Sequence, residues 1–210
     1  MNTPMSPKVV LFDYGGVLAE EGFAEGLKAI AAAQGLDPGR FFSQVEKIIY
    51  DCGYVTGGNS EAGFWARVRA ECGIVGGDAE LTGQIQSRFV LRPGMLALVR
   101  GLKARGVRTA ILSDQTDWLE QLDRRDHFLA EFDPVLNSYY LGHSKRESAT
   151  FHLALQRLGV PAAQVLFVDD NGAHIGRAVA LGLQVHHFAD EAAFAAELRQ
   201  RGLAGPEGVR

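Results

Sequence analysis

Three short stretches of the 210-residue chain end in polar residues that could act together on a charged ligand. LFDYGGVL places Asp13 after an apolar run, AILSD places Ser113 and Asp114 after a second, and VLFVDDN places Asp169 and Asp170 after a third. A lysine, Lys145, follows a Gly142-His143-Ser144 turn. Two carboxylates ~4 Å apart repel by about 4 kcal/mol at an effective dielectric of roughly 20, so a cluster of them calls for a cation or for protonation. Hard carboxylate oxygens with no nearby cysteine or histidine ligand set favour Mg2+. A lysine beside such a cation and a serine hydroxyl would surround phosphoryl oxygens with donors and positive charge.

These residues meet only if the apolar runs are neighbouring strands. Five runs read as strands: 8–12, 108–113, 134–138, 164–168 and 184–188. The first, second and fourth are nearly unbroken, as in strands covered on both faces. Between them, Leu96, Val99 and Leu102, then Phe151, Leu155 and Leu158, recur at helical spacing. Gly106, Gly159 and Gly182 fall where such helices would end. Strand and helix alternate from residue 92 onward. The pattern predicts a doubly wound, mostly parallel, Rossmann-like α/β sheet, whose ligands bind outside the carboxyl ends of the strands.

Residues 17–91 interrupt the alternation with no convincing strand. Four helix patterns fit them, near 22–34, 38–52, 60–72 and 78–90. We expect a small inserted helical domain over 17–91, a core over 1–16 and 92–210, and hinges near 17–21 and 88–93. Residues 1–6 and 202–210 read as mobile ends.

Composition narrows the possible functions. Hydrophobic residues at 47% and charged residues at 22% exclude a disordered or fibrous chain. Lys plus Arg minus Asp plus Glu is 21 − 25 = −4, without the basic excess that a nucleic-acid binder shows. No apolar run approaches the ~18 residues needed to span a bilayer, and the apolar stretch at the N-terminus is too short for a signal-peptide core. Two cysteines, Cys52 and Cys72, suit a reduced, cytoplasmic setting. A monomer and a homodimer are both compatible with this composition.

Taken in order, Asp13, Ser113, Lys145 and Asp169-Asp170 resemble the four motifs of the haloacid dehalogenase-like hydrolases. The resemblance extends over about residues 7–190 and includes RPGMLALVRGLKARGVRTAILSD and VLFVDDNGAHIGRAVALGL. It implies a Mg2+-dependent phosphatase that forms an aspartyl-phosphate on Asp13 and acts on a small phosphorylated metabolite, a sugar phosphate being one candidate. DYGGV is similar to the D-x-G-x-V motif of a capped branch that includes sugar-phosphate phosphatases, and the helical insert is similar to that branch's cap. The metal would lie among Asp13, the Gly15 carbonyl, Asp169 and Asp170. Ser113 and the amide of Asp114 would hold phosphate, and Lys145 would neutralise charge and orient Asp13. Metal-independent dehalogenases of the family do not keep the acidic pair found here at 169–170.

The chain departs from this pattern at several positions. The family's phosphatases usually carry a second Asp two residues after the nucleophile as general acid; here that residue is Gly15. General acid catalysis typically contributes ~10²–10⁴-fold. Strand alternation points Tyr14 away from Asp13, which leaves Asp114, Glu20 and Glu21 as other carboxyls near the motif. Arg146 stands where the family usually has Pro, and His174 where related branches often have Asn. Among the remaining residues, His174 reads as a surface histidine, His186-His187 as structural, Phe64 and Trp65 as insert core, and Cys52 and Cys72 as buried thiols. Arg124, Arg125 and Asp126 read as a solvated turn. Tyr50, Tyr54 and Trp65 are candidates for substrate selection. The rival to a phosphatase is a catalytically weak metal- or phosphate-binding module that regulates a partner; a phosphomutase or dehalogenase ranks lower.

Overall fold

In the computed structural model, which describes residues 6–204, five parallel strands form one sheet in the order β3-β2-β1-β4-β5. They are β1 (Val9–Phe12), β2 (Arg108–Ser113), β3 (Val135–Asn137), β4 (Val165–Asp169) and β5 (Gln184–His187). Each lies within one residue of the run that predicts it. Strand alternation sends Val9 and Leu11 to one face, where they join Ala110, Phe151, Leu158 and Ala178. Val10 and Phe12 point to the other, among Val99, Leu102, Phe128 and Phe194. Helices α8 (Ser148–Leu158) and α9 (Gly172–Ala180) cover the first face, and α5 (Pro93–Ala104) and α10 (Glu191–Gln200) cover the second. Burial on both faces is why these strands lack polar alternation.

The register decides where the polar ends fall. Phe12 pairs with Ile111 on β2 and Val168 on β4, so Asp13 and Asp169 come one step later on adjacent strands and Ser113 follows on β2.

Between β1 and α5 lie α1 (Gly22–Ala33), α2 (Pro38–Asp51), α3 (Glu61–Cys72) and α4 (Asp78–Gln86). Caps set their starts: Glu21, Asp37 and Ser60 each accept a backbone N–H in the first turn of the helix that follows. The fourth helix stops at Gln86 instead of near residue 90, because the chain must return to the sheet. Phe89 packs on Tyr14 at 5.6 Å, and Leu91 forms an antiparallel bridge with Ala19. Glu20 N–H to the Val90 carbonyl and Arg92 N–H to the Leu18 carbonyl, each 2.9 Å, tie the two crossings together.

The apolar interior of the insert is continuous with one face of the sheet. Val10, Phe12, Tyr14 and Val17 belong to the same packed cluster as Leu27, Val45, Phe64 and Trp65. Phe64 and Trp65 are therefore core, as expected, and Trp65 Nε1 is satisfied by Thr82 Oγ1 at 2.9 Å.

Several expectations need correction. Cys52 and Cys72 are free thiols but only partly buried, because each falls at a helix end where the chain turns outward. Arg124 and Arg125 are solvated as expected, but with Asp126 they form the last turn of a helix, α6 (Trp118–Asp126), and not a separate turn. Arg125 donates to the carbonyls of Gln86 and Phe89, binding that helix to the returning chain. The expected mobile ends lie outside the described residues except at 6 and 202–204, where Leu203 is buried and its N–H donates to the Leu198 carbonyl. A one-turn helix, α7 (Ser138–Leu141), follows β3. Among the described residues, no helix is long and apolar enough to cross a membrane.

Candidate active site

Asp13, Ser113, Lys145 and Asp169 meet at the carboxyl end of the sheet and are all buried. Lys145 Nζ lies 2.7 Å from Asp13 Oδ2 and 2.6 Å from Asp169 Oδ2, bridging the two central strands. The other oxygen of Asp13 accepts from Ser113 Oγ at 2.6 Å and from the Tyr14 N–H at 2.7 Å. Both oxygens of Asp13 are thus held, and its orientation is fixed by three donors. Tyr14 itself turns into the core, stacked on Phe128 at 4.9 Å, as alternation requires.

The loop carrying Lys145 keeps its shape although Arg146 stands next to it. Lys145 N–H donates to Asp114 Oδ1 at 2.8 Å, and Thr150 Oγ1 donates to the Ser144 carbonyl at 2.5 Å. Arg146 instead reaches the insert, with its guanidinium 3.4 Å from the Tyr50 ring centre and 3.0 Å from Glu46. Tyr50 Oη donates to Asp114 Oδ2 at 3.0 Å. Both Asp114 oxygens are occupied by these contacts, which removes its carboxyl as a stand-in acid. Glu20 is also removed, since it pairs with Arg92 at 2.9 Å on the surface.

Asp170 is exposed at the mouth, and one oxygen from each of Asp13, Asp169 and Asp170 lies within 4.8 Å of the others. Gly16 makes room for Asp170. A Cβ there would come within 2.1 Å of Asp170 Oδ2, and its φ of +77° is the left-handed conformation that glycine adopts without strain. Three converging carboxylates beside a glycine that only an unsubstituted backbone can fill fit a hard divalent cation such as Mg2+.

Electrostatics follow from crowding. Burial pushes the Asp13 carboxyl up, with the Asp169 charge acting the same way and Lys145 opposing. Burial also works against ionised Asp169, but Lys145 and His174 outweigh it and hold that carboxyl well below the usual range. Lys145 stays cationic, because Asp13, Asp169 and Asp114 more than offset its burial. A cation placed among the carboxylates would favour ionised Asp13.

His174 is a correction to the surface reading. It is buried, and Nδ1 lies 3.2 Å from Asp169 Oδ2. The sequence signal was Asn171, which caps α9 through the Ala173 N–H and so turns the first residues of that helix back toward Asp169. His187, at the end of β5, has Nε2 2.9 Å from the Asp170 carbonyl, a structural contact under the acidic loop.

Above the carboxylates opens a cavity of about 300 Å3. Asp13, Ser113, Lys145 and Asp170 form its floor together with Gly15, while Phe23, Phe42, Ile49, Tyr50, Val55 and Trp118 contribute to its walls. Tyr50 lines it as expected; Tyr54 and Trp65 do not, being buried in the core. Glu21 also lines it. Glu21 Oε1 caps α1 through the Ala24 N–H, and Oε2 would lie 3.2 Å from a Cβ built on Gly15. Burial raises the Glu21 carboxyl, and the Asp170 charge adds to the effect.

A parallel sheet whose central strands present Asp, Ser and Asp-Asp, with a lysine brought in by the loop before α8, defines the class: the chain belongs to the haloacid dehalogenase-like hydrolase family, which it matches over residues 7–182. Among named relatives, the sesquiterpene phosphatase astK of Aspergillus oryzae is 28% identical over 134 residues, 62% of this chain and 68% of that protein. Mouse acyl-CoA dehydrogenase family member 10 is 30% identical over 104 residues, 48% of this chain, but the match spans only 9% of its own length. In three dimensions the chain resembles a HAD family enzyme from Bacteroides thetaiotaomicron in complex with magnesium and inorganic phosphate. The two share a TM-score of 0.68 and 21% identity, over 90% of this chain and 99% of that one. That likeness concerns the fold.

Proposed function

We propose that the protein is a Mg2+-dependent phosphatase acting on a small phosphorylated metabolite, with Asp13 as nucleophile. The observation that carries the reading is the bridge of Lys145 between Asp13 and Asp169, with Ser113 on the second Asp13 oxygen. Membership in a hydrolase family, a phosphatase among the relatives and a magnesium and phosphate complex of a similar fold support it. The helical insert, over 17–91, acts as a cap on a core formed by 1–16 and 92–210; its α1 and α2 supply one wall of the cavity. Free thiols at Cys52 and Cys72 suit a reducing compartment.

Asp13, Asp169, Asp170 and the Gly15 carbonyl would hold the metal. When bound, Mg2+ supplies positive charge against the phosphoryl oxygens. Lys145 and Ser113 hold Asp13 in line, and with the Asp114 amide they take up phosphate oxygens. An Asp13 carboxylate oxygen attacks phosphorus; as that bond forms, the ester P–O bond breaks and the alcohol oxygen departs. Glu21 stands where the missing second Asp would reach, so its Oε2 gives the departing oxygen a proton. Water then attacks phosphorus, Glu21 takes up the water's proton, and phosphate leaves as the Asp13 carboxylate is restored.

The test is release of p-nitrophenol from p-nitrophenyl phosphate, with Mg2+ and with chelator, for wild type and Asp13→Asn. Turnover that needs both Mg2+ and Asp13 is expected. Absence of turnover from folded wild-type protein would favour a regulatory metal- or phosphate-binding module, the reading that Gly15 otherwise encourages.

A further inference from the structure

The walls of the cavity differ in kind from its floor. Phe23 on α1, Phe42 and Ile49 on α2, Val55 in the turn after α2, and Trp118 on α6 present carbon to the space above the phosphate position. The two ring residues that carry polar tips have already spent them. Tyr50 Oη is held by Asp114, and Trp118 Nε1 donates to Glu61 Oε2 at 2.7 Å. Both show the cavity the body of a ring.

Charge is equally one-sided. Lys145 is the cation that lines the cavity, and its Nζ is engaged by Asp13 and Asp169 on the floor. Glu21 and Glu46 place carboxyls at the wall, and Glu46 is paired with Arg146. Among the described residues that line the wall there is no lysine or arginine left to neutralise a second phosphate or a carboxylate on the leaving group, and the neighbouring Arg146 is taken up by Glu46 and the Tyr50 ring. Most polar side chains that line the cavity above the floor are engaged by the protein itself: Glu21 caps α1, Glu46 pairs with Arg146, Asn171 Oδ1 accepts the Ala173 N–H at 2.9 Å, and His174 Nδ1 lies 3.2 Å from Asp169 Oδ2. Thr116 Oγ1 already accepts from the Trp118 N–H at 3.2 Å, and Gln115 lies beside Gly15 at the floor, with Nε2 3.8 Å from a Cβ built on that glycine. A hydroxyl enclosed here without a partner would lose its hydration uncompensated.

We infer that the leaving group is an uncharged, apolar alcohol, aliphatic or aromatic, so that the substrate is its phosphate monoester and not a sugar phosphate or a bisphosphate. This rests on the phosphatase reading for its chemistry but concerns the wall, which can be tested apart from turnover. About 300 Å3 is at the small end of the ~300–1,000 Å3 typical of ligand sites. It accommodates phosphate with one ring or a short chain.

Two measurements separate the wall from the chemistry. In the first, calorimetry with Asp13→Asn protein and Mg2+ compares hexyl phosphate, 2-phenylethyl phosphate and glucose 6-phosphate. The apolar esters should bind at least tenfold more tightly, and Phe42→Ser and Ile49→Asn on that background should each reduce the preference several-fold. Equal binding, or tighter binding of glucose 6-phosphate, would overturn the inference whether or not the protein is an enzyme. In the second, kcat/KM of wild type on the same three primary-alcohol esters should show the same order by at least tenfold. A reversed order with p-nitrophenyl phosphate still hydrolysed would overturn the inference while leaving the phosphatase reading intact.

Discussion

Replacing Glu21 by Gln separates two jobs of one side chain. Its Oε1 accepts the Ala24 N–H that opens α1, and its Oε2 points to the space left empty at Gly15. Gln keeps an acceptor for the cap, so the ~0.5–2 kcal/mol that a lost N-cap costs should be largely retained. What Gln cannot do is lose a proton to a departing alkoxide. The expected loss is therefore that of general acid catalysis, ~10²–10⁴-fold, or about 3–5 kcal/mol of transition-state stabilisation at ~1.4 kcal/mol per factor of ten. It should appear in kcat/KM for hexyl phosphate, whose leaving group is strongly basic, while kcat/KM for p-nitrophenyl phosphate, whose leaving group departs unassisted, should be within a few-fold of wild type. The later hydrolysis of the aspartyl-phosphate, common to both esters, affects kcat alone. The pH profile gives a second reading. Burial raises the Glu21 carboxyl, and the protonated form is the active one. kcat/KM for the alkyl ester should then decline as pH rises through that raised value, a limb that kcat/KM of Glu21→Gln and of wild type on p-nitrophenyl phosphate should both lack. Steady-state kinetics over pH with the two esters decides it. Equal losses of kcat/KM on both substrates would refute the reasoning and remove Glu21 as the acid for the leaving group.

Two further substitutions probe the carboxylate cluster. Lys145→Met leaves Asp13 and Asp169 buried together without their cation, and breaking such a buried pairing costs ~3–5 kcal/mol; urea unfolding without metal should show a loss of this order, partly recovered on adding Mg2+. Gly16→Ala would bring a methyl within 2.1 Å of Asp170 Oδ2 at a positive φ. Thermal stabilisation of the protein by Mg2+ should fall by at least tenfold in apparent affinity, whereas an unchanged Mg2+ titration would remove Asp170 from the metal site.

The sheet was legible because β1, β2 and β4 are buried on both faces and appear as nearly unbroken apolar runs, and because a carboxylate whose charge makes no sense inside the sheet stands at the end of each. Asp13, Ser113 and Asp169 need only the register to meet, and parallel pairing supplies that. The insert's helices were legible from their apolar spacing. The end of α4 was not, because the helical pattern through Phe89 continues past the point where Phe89 must turn to meet Tyr14. Glu21 and His174 were harder still. Glu21 reads as a hinge residue until α1 folds back toward Gly15, and His174 reads as surface until α9 is set against Asp169. Asp114 looked like an altered phosphate contact; its carboxylate is engaged by a tyrosine 64 positions earlier, a pairing no local pattern contains.

The unbroken packing from sheet to insert has a consequence for anyone who would treat the insert as a portable part. Tyr14 lies between Phe128 of the sheet side and Phe89 of the returning chain, with Val17 and Leu18 fully covered beside it. Exchanging residues 17–91 with the corresponding segment of another protein would put a foreign apolar surface against this stack and strip half its cover. Chimeras cut at the two crossings should therefore aggregate unless Phe89 and its partners travel with the graft. Specificity in this chain is better altered residue by residue, at Phe42 or Ile49, than by exchanging the lid whole.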